Sequence, residues 1–256
     1  MKNLFFILTL LLSLSICQED SYYLDLGTEG GMGEINISNS DSLNLENSDI
    51  TMSAWIKIIS HGQYNTIMSK RISTPPSDPT PYTMTIHPNG KLMWFSWGIS
   101  SNSDTYIFSS STVPEGEWVH VAISVENNNT LKFYINGILD NTENQDISEV
   151  RGINNEILRL GKWADYGNAE HLRGSLDEVT LWSRALSENE IFTMFLNGLP
   201  SSHNNLLAYW NWNDYTSTDL SGNGYNGSEA GDYVYVSGGP ALNTIEGCTD
   251  SFSENF

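Results

Sequence analysis

Two acidic residues stand side by side in the segment Leu176-Asp177-Glu178-Val179-Thr180-Leu181-Trp182. Side chains alternate between the faces of a strand, so Asp177 is expected to share a face with Val179 and Leu181, and Glu178 with Thr180 and Trp182. If the aliphatic pair faces a core, Asp177 lies at a buried rim, where an unpaired carboxylate is costly. It then needs a cation or a set of N–H donors. The whole chain has only 11 Lys and Arg, which makes a hard divalent ion a natural neutraliser, and calcium takes about six to eight oxygen ligands. The turn Asp219-Leu220-Ser221-Gly222-Asn223-Gly224 offers such oxygens. Asp177, Asp219 and Asn223 are therefore the candidate ligands of a structural calcium ion. The alternative is that Asp177 accepts backbone N–H bonds and that Asp219 and Asn223 only shape an Asx turn, which needs no ion.

Sugar recognition wants aromatic faces for pyranose C–H surfaces, with carboxylates and amides to receive hydroxyl hydrogens. The run Lys162 to His171 has both, in Trp163, Asp165, Tyr166 and Asn168, and loops on a rigid scaffold are where binding concentrates. The competing reading packs Trp163 and Tyr166 down as the loop's own small core. Trp97, expected opposite Thr83 and Thr85, is a second candidate. Near the loop the basic residues are Lys162 and Arg173, so neutral sugars, or anionic ones bridged by calcium, are favoured over ligands that need an Arg or Lys fork.

Catalytic patterns are missing. Asp177 and Glu178, pointing to opposite faces, are not expected to act as a pair. There is no G-x-S-x-G or H-E-x-x-H string. Cys248 has no histidine near it in sequence, no two histidines stand at metal-ligand spacing, and His120 reads as an ordinary strand residue. The expectation is a non-enzyme. Acidic residues outnumber basic ones 31 to 11, a formal charge of −20, which excludes a nucleic-acid backbone as main partner and disfavours anionic lipid surfaces.

The elements that must position these groups are short strands. Asn, Ser, Thr and 21 Gly dominate the polar residues, which is strand and turn chemistry. Strands are expected near 22–26, 34–38, 50–59, 82–87, 91–97, 117–126, 131–136, 157–161, 174–183 and 206–212, with a hairpin turn at His87-Pro88-Asn89-Gly90. The four prolines between Ser73 and Pro81 argue for a surface loop. One helix is expected, capped by Ser187 and Glu190 and stopped at Gly198. At the N-terminus, Lys2 precedes an apolar run from Leu4 to Ile16, too short to span a bilayer, so residues 1–17 read as a signal peptide, with a lipid-bearing Cys17 as the rival.

The segments GEINISNSDSLNLENSDITMSAWIK (33–57), EGEWVHVAISVENNNTLKFYINGIL (115–139), LRGSLDEVTLWSRALSENEI (172–191) and LLAYWNWNDYTSTDLSGNGYNG (206–227) together resemble the laminin-G-like, concanavalin-A-like lectin family. The resemblance implies an all-β fold, a two-sheet antiparallel jelly-roll sandwich with one short helix, over residues 18–236. It also implies a frequent bound calcium and a role as a sugar-binding or adhesive module of an exported protein, recognising a glycan or an extracellular matrix or cell-surface ligand. Residues 237–256 resemble a linker and the start of a cysteine-bounded repeat whose second cysteine is missing. Hydrolases of this fold carry E-x-D-x-x-E or E-x-D-x-E on one strand, a string not found here. A structural spacer in a surface array and a polysaccharide-cleaving enzyme are the alternatives.

Overall fold

The computed structural model describes residues 21–27, 32–71, 79–98, 103–164, 170–200 and 202–242. The expected signal peptide and the cysteine-containing tail from residue 243 lie outside them. Two antiparallel sheets form a sandwich. The eight-stranded sheet holds β1 (Tyr22–Asp25), β3 (Ile50–Ile58), β8 (Val119–Glu126), β9 (Thr130–Ile135), β10 (Ile138–Asn144), β12 (Gly174–Trp182), β13 (Leu206–Trp210) and β15 (Val234–Ser237). Its order is β10-β9-β8-β3-β12-β1-β15, with β13 also pairing β12. The seven-stranded sheet holds β2 (Glu34–Ile37), β4 (Asn65–Ser69), β5 (Thr80–Ile86), β6 (Lys91–Gly98), β7 (Ser103–Thr112), β11 (Leu158–Leu160) and β14 (Gly227–Ala230). The order there is β14-β2-β11-β4-β5-β6-β7.

Period-2 alternation supplies the core. Met52, Ala54, Ile56 and Ile58 of β3 and Tyr82, Met84 and Ile86 of β5 all point between the sheets and are fully buried. All ten expected strands have counterparts. Strands β4, β7, β10, β14 and β15 were not foreseen: β4 and β10 are bordered or interrupted by polar residues, and β7 is largely Ser and Thr. Pro81 lies inside β5, contrary to the loop expected as far as residue 81, and it is tolerated because the β5–β6 register shifts between Thr80 and Thr83. The His87–Gly90 turn is present, with Gly90 at φ 84° and its N–H bonded to the His87 carbonyl at 2.8 Å.

The helix α1 (Glu188–Asn197) begins with a capping box: Ser187 Oγ accepts from the Glu190 N–H, and the Glu190 carboxylate accepts from the Ser187 N–H at 2.8 Å. Arg184 grips the same carboxylate through two N–H groups at 2.7 and 3.1 Å. That fork, with the Ser187 bonds, holds Glu190 at about 2. Ile191 and Met194 then press onto Trp182, Tyr134 and Tyr209, on the outer face of the eight-stranded sheet. Replacing Ser187 by Ala should lower unfolding stability by about 1 kcal/mol, read as a shifted urea midpoint at unchanged slope.

Candidate functional site

The outer face of the seven-stranded sheet carries an aromatic field. Alternation in β6 sends Leu92, Trp94 and Ser96 inward, and Met93, Phe95 and Trp97 outward. In β7 it sends Tyr106 and Phe108 to the same outer side, with Tyr106 directly opposite Phe95 and Trp97 opposite Asp104. The loop expected to bind ligand starts at this face, with Trp163 and Ala164 packed on it. Its base is closed by the Lys162–His171 bridge and by the Leu172 N–H bonded to the Gly161 carbonyl at 2.8 Å. Trp163 lies 4.8 Å from Tyr64 and 5.3 Å from Phe95, centroid to centroid. The Arg71 guanidinium sits 4.8 Å above the Trp163 ring and 5.0 Å above Phe95.

Trp163 is consequently 3% exposed. It is not an open stacking platform; of the two readings, packing down is the one its burial fits, because the sheet beneath it is aromatic and cannot be left wet. Asp165, Tyr166 and Asn168 lie outside the described residues. Trp97 is half-buried on the outer face, and beside it Tyr106 is 45% exposed, its hydroxyl donating to Asp104 at 3.1 Å. Burial first, and then Asp104, push the Tyr106 phenol up to about 12. Tyr106 escaped the sequence reading because β7 did; the alternation Thr105-Tyr106-Ile107-Phe108 was the available signal. Lys162 is committed to Glu34 at 2.6 Å. The basic residue at the aromatic field is Arg71, which sequence distance from the loop concealed.

Two of the metal candidates are engaged in hydrogen bonds. Asp219 spends its carboxylate on four donors: the N–H groups of Tyr209 and Ser221 on one oxygen, and the Tyr225 N–H and Ser221 hydroxyl on the other, all between 2.8 and 3.0 Å. The Asn223 amide donates to the carbonyls of Leu206 and Leu207. Together they pin the 219–225 turn to β13 by hydrogen bonds alone. Among the described residues no group of three or more His, Cys, Asp and Glu side chains is placed to hold a metal ion. Asp219 and Asn223 are held by hydrogen bonds to the 206–225 segment.

Asp177 has a different neighbour from the one alternation implies. The β12–β3 register jumps between Asp177 and Thr180, and Glu178 takes φ 51°. This bulge resets the alternation. Leu176, Val179 and Leu181 all enter the core, while Asp177 and Glu178 lie together on the outer side with Thr180 and Trp182. The expectation that the two carboxyls face apart is thereby corrected. Asp177, 3% exposed, accepts the Glu178 N–H at 2.9 Å, and Glu178 accepts the Tyr209 hydroxyl at 2.8 Å. Gly239 passes so close that a methyl group there would lie 2.4 Å from an Asp177 oxygen. Neighbouring His120 is pushed down to about 3 by burial and is neutral, and no Lys or Arg is among the groups acting on the pair. Burial therefore raises Glu178 to about 7, and burial with the Glu178 charge raises Asp177 well above the usual carboxylate range. The cavity beside them, walled by Trp55, His120, Glu178 and Met194, measures about 10 Å³. It admits one water and no sugar.

The sequence pattern described as the concanavalin A-like lectin/glucanases superfamily, Laminin_G_3, matches residues 29–192. No curated protein matches the sequence. Among solved structures, a Bacteroides ovatus ATCC 8483 protein named as a candidate carbohydrate-binding protein superimposes with a TM-score of 0.62 at 17% identity, over 89% of this chain and 61% of its own. This chain thus spans less than two thirds of that protein. The SAP-like pentraxin of Limulus polyphemus gives 0.56 at 16% identity over 84% and 94% of the two chains. The CBM40 of the Ruminococcus gnavus IT-sialidase gives 0.57 at 17% identity over 69% and 98%. At these identities the likeness is one of fold.

Two outcomes follow from the geometry. A carboxyl with a raised folded pKa holds its proton more tightly when folded, so its stabilisation is complete below its unfolded value and is lost as pH rises through the folded one. Stability should fall between pH 4.5 and about 7, and Glu178→Gln should flatten that fall, as followed by urea midpoints across the range. Trp163→Ala should cost about 3 to 5 kcal/mol of stability, measured by the same denaturation; an exposed platform would cost far less.

Proposed function

The chain belongs to the concanavalin A-like lectin/glucanases superfamily, and from that premise we propose that it is a non-catalytic carbohydrate-binding module of an exported protein. One observation carries the reading: Trp97 and Tyr106 stand diagonally across two paired strands of the outer face, with Asp104 opposite Trp97 and its carboxylate accepting the Tyr106 hydroxyl. An aromatic surface for pyranose C–H groups beside an acceptor for sugar hydroxyls is what glycan recognition needs, and placement on strands keeps both rigid. The fold neighbours support the class. The Bacteroides protein is named for carbohydrate binding, and the Ruminococcus CBM40 was also solved with α2,3-sialyllactose bound. Superfamily membership also admits hydrolases, and the acid pair is where such chemistry would be sought. Its one-water cavity and its cover speak for a structural role instead.

Export rests on the signal-like residues 1–17. Among the described residues no helix is long and apolar enough to cross a membrane. Calcium enters as a test of the acid pair: an ion there would displace the proton that burial makes the carboxyls retain. A melting temperature raised by calcium and insensitive to it in Asp177→Asn assigns the ion to Asp177, whereas identical curves in calcium and in EDTA leave the carboxyls as a protonated pair.

The binding reading is checked with an immobilised glycan array. Trp97→Ala and Tyr106→Ala should each weaken binding by about 1 to 3 kcal/mol with the melting temperature nearly unchanged. Full binding by both variants would return the module to the spacer reading.

A further inference from the structure

Strand β15 ends the eight-stranded sheet and β14 ends the seven-stranded one, so the stretch 227–237 forms one open flank of the sandwich. Tyr235 pairs with Leu24, a fully buried core residue. The parity that turns Leu24 inward turns Tyr22 and Tyr235 inward as well, at the margin where the core meets solvent. Tyr215, from the loop after β13, and Tyr233, just before β15, complete a row. Ring centroids lie 4.4 Å apart from Tyr22 to Tyr215, 6.0 Å from Tyr215 to Tyr235, and 5.6 Å from Tyr235 to Tyr233.

Two of the four rings face water. Tyr215 is 52% exposed and Tyr233 38%. Tyr215 adopts φ 59°, a left-handed conformation unfavourable to a bulky residue, and such conformations cluster at functional sites. The Tyr235 hydroxyl donates to Glu229 at 2.6 Å, fixing that ring, and the Asn213 side chain takes the Tyr22 N–H at 2.8 Å. Asn213, Asp214, Thr216 and Asp232 form an exposed polar rim.

We infer that this tyrosine seam is a second glycan-binding surface, taking a neutral polysaccharide chain along the open flank. The inference rests on the carbohydrate-binding reading and adds to it. Residues 21–27 and 202–242 contain no Lys or Arg, so the seam offers no fork for sulfate, phosphate or uronate groups. A second copy of the chain would bring its own acidic flank against this one, a like-charge contact. A neutral, hydroxyl-rich ligand meets neither objection. Its C–H faces cover the exposed rings, and its hydroxyls donate to the rim carboxylates and amide. With the Trp97 and Tyr106 face on another side of the sandwich, the module would hold a chain at two places, so the two contacts reinforce one another through effective concentration.

Affinity electrophoresis of the full chain tests this, through gels holding arabinan, xylan, β-glucan or galactomannan, with alginate and heparin gels alongside. The expected result is retardation in at least one neutral gel that persists in about 1 M salt, where charge attraction is screened within about 3 Å. In that gel Tyr215→Ala and Tyr233→Ala should each raise the dissociation constant about five- to tenfold. Tyr215→Phe, which keeps the ring, should stay within about twofold of the parent, separating lost stacking from lost fold. Parent-like retardation of both alanine variants, while Trp97→Ala abolishes it, would overturn the seam and leave the first face standing. Retardation only by the anionic gels, or lost in salt, would also overturn it. No retardation in any gel would overturn both. A dimer seen by sedimentation that Tyr215→Ala dissolves, without effect on retardation, would make the seam a self-contact and overturn the inference.

Discussion

The structure turns on the need to bury both faces of its sheets. A sandwich ordinarily shields one face of each sheet and wets the other. Here the central strands β3 and β12 are buried along nearly their whole length, and the outer face of each sheet carries a second small apolar cluster. Each cluster needs a cover. Over the eight-stranded sheet it is α1 with its Arg184-braced cap, joined by Gly198 and Leu242. Over the seven-stranded sheet it is Trp163 with Ala164, under Arg71. Among the described residues, the aromatic rings left partly or largely exposed are informative, and they include Trp97 and Tyr106 at one margin and the tyrosine row at the flank.

Much of this was legible in the sequence, and the failures share a cause. The ten apolar strands, the hairpin at Gly90 and the capped helix each write their pattern locally, in residue types at fixed offsets. Strand β7 does not, because Ser and Thr fill positions that only the partner strand β6 makes interpretable. Trp163 illustrates the same limit: its aromatic character is visible in sequence, but whether it meets sugar or Phe95 depends on a strand some 70 residues away in the chain. The Asx-turn alternative describes the Ser221 bonds of Asp219, but the Tyr209 N–H on Asp219 and the Leu206 and Leu207 carbonyls on Asn223 lie 10 to 17 residues away, beyond the reach of a local pattern.

The Asp177–Glu178 bulge is the sharpest case. Strict alternation is a good rule until one extra residue enters a strand, and then every side chain beyond it changes face. Holding Val179 and Leu181 in the core together with Leu176 requires such an insertion, since Leu176 and Val179 differ by an odd number of positions. The aliphatic triple thus contained the signal, and the carboxylates were carried along by it. Two acids came to one side because the core needed three hydrophobic residues on the other.

That origin bears on why a buried acid pair can persist without a basic partner. Each carboxyl retains a donor, the Glu178 N–H for Asp177 and the Tyr209 hydroxyl for Glu178, and a retained proton removes the charge that burial penalises. The pair then behaves as a polar seat for the Gly239 segment, where no larger residue fits beside Asp177. Chemistry on a sugar would require the opposite arrangement, with carboxyls spaced across a wet cleft wide enough for a glycosidic bond. Among the described residues, the strands that face solvent with rings and acceptors present no opposed acids. This distribution of acids and aromatics is what supports the proposed reading of recognition without cleavage.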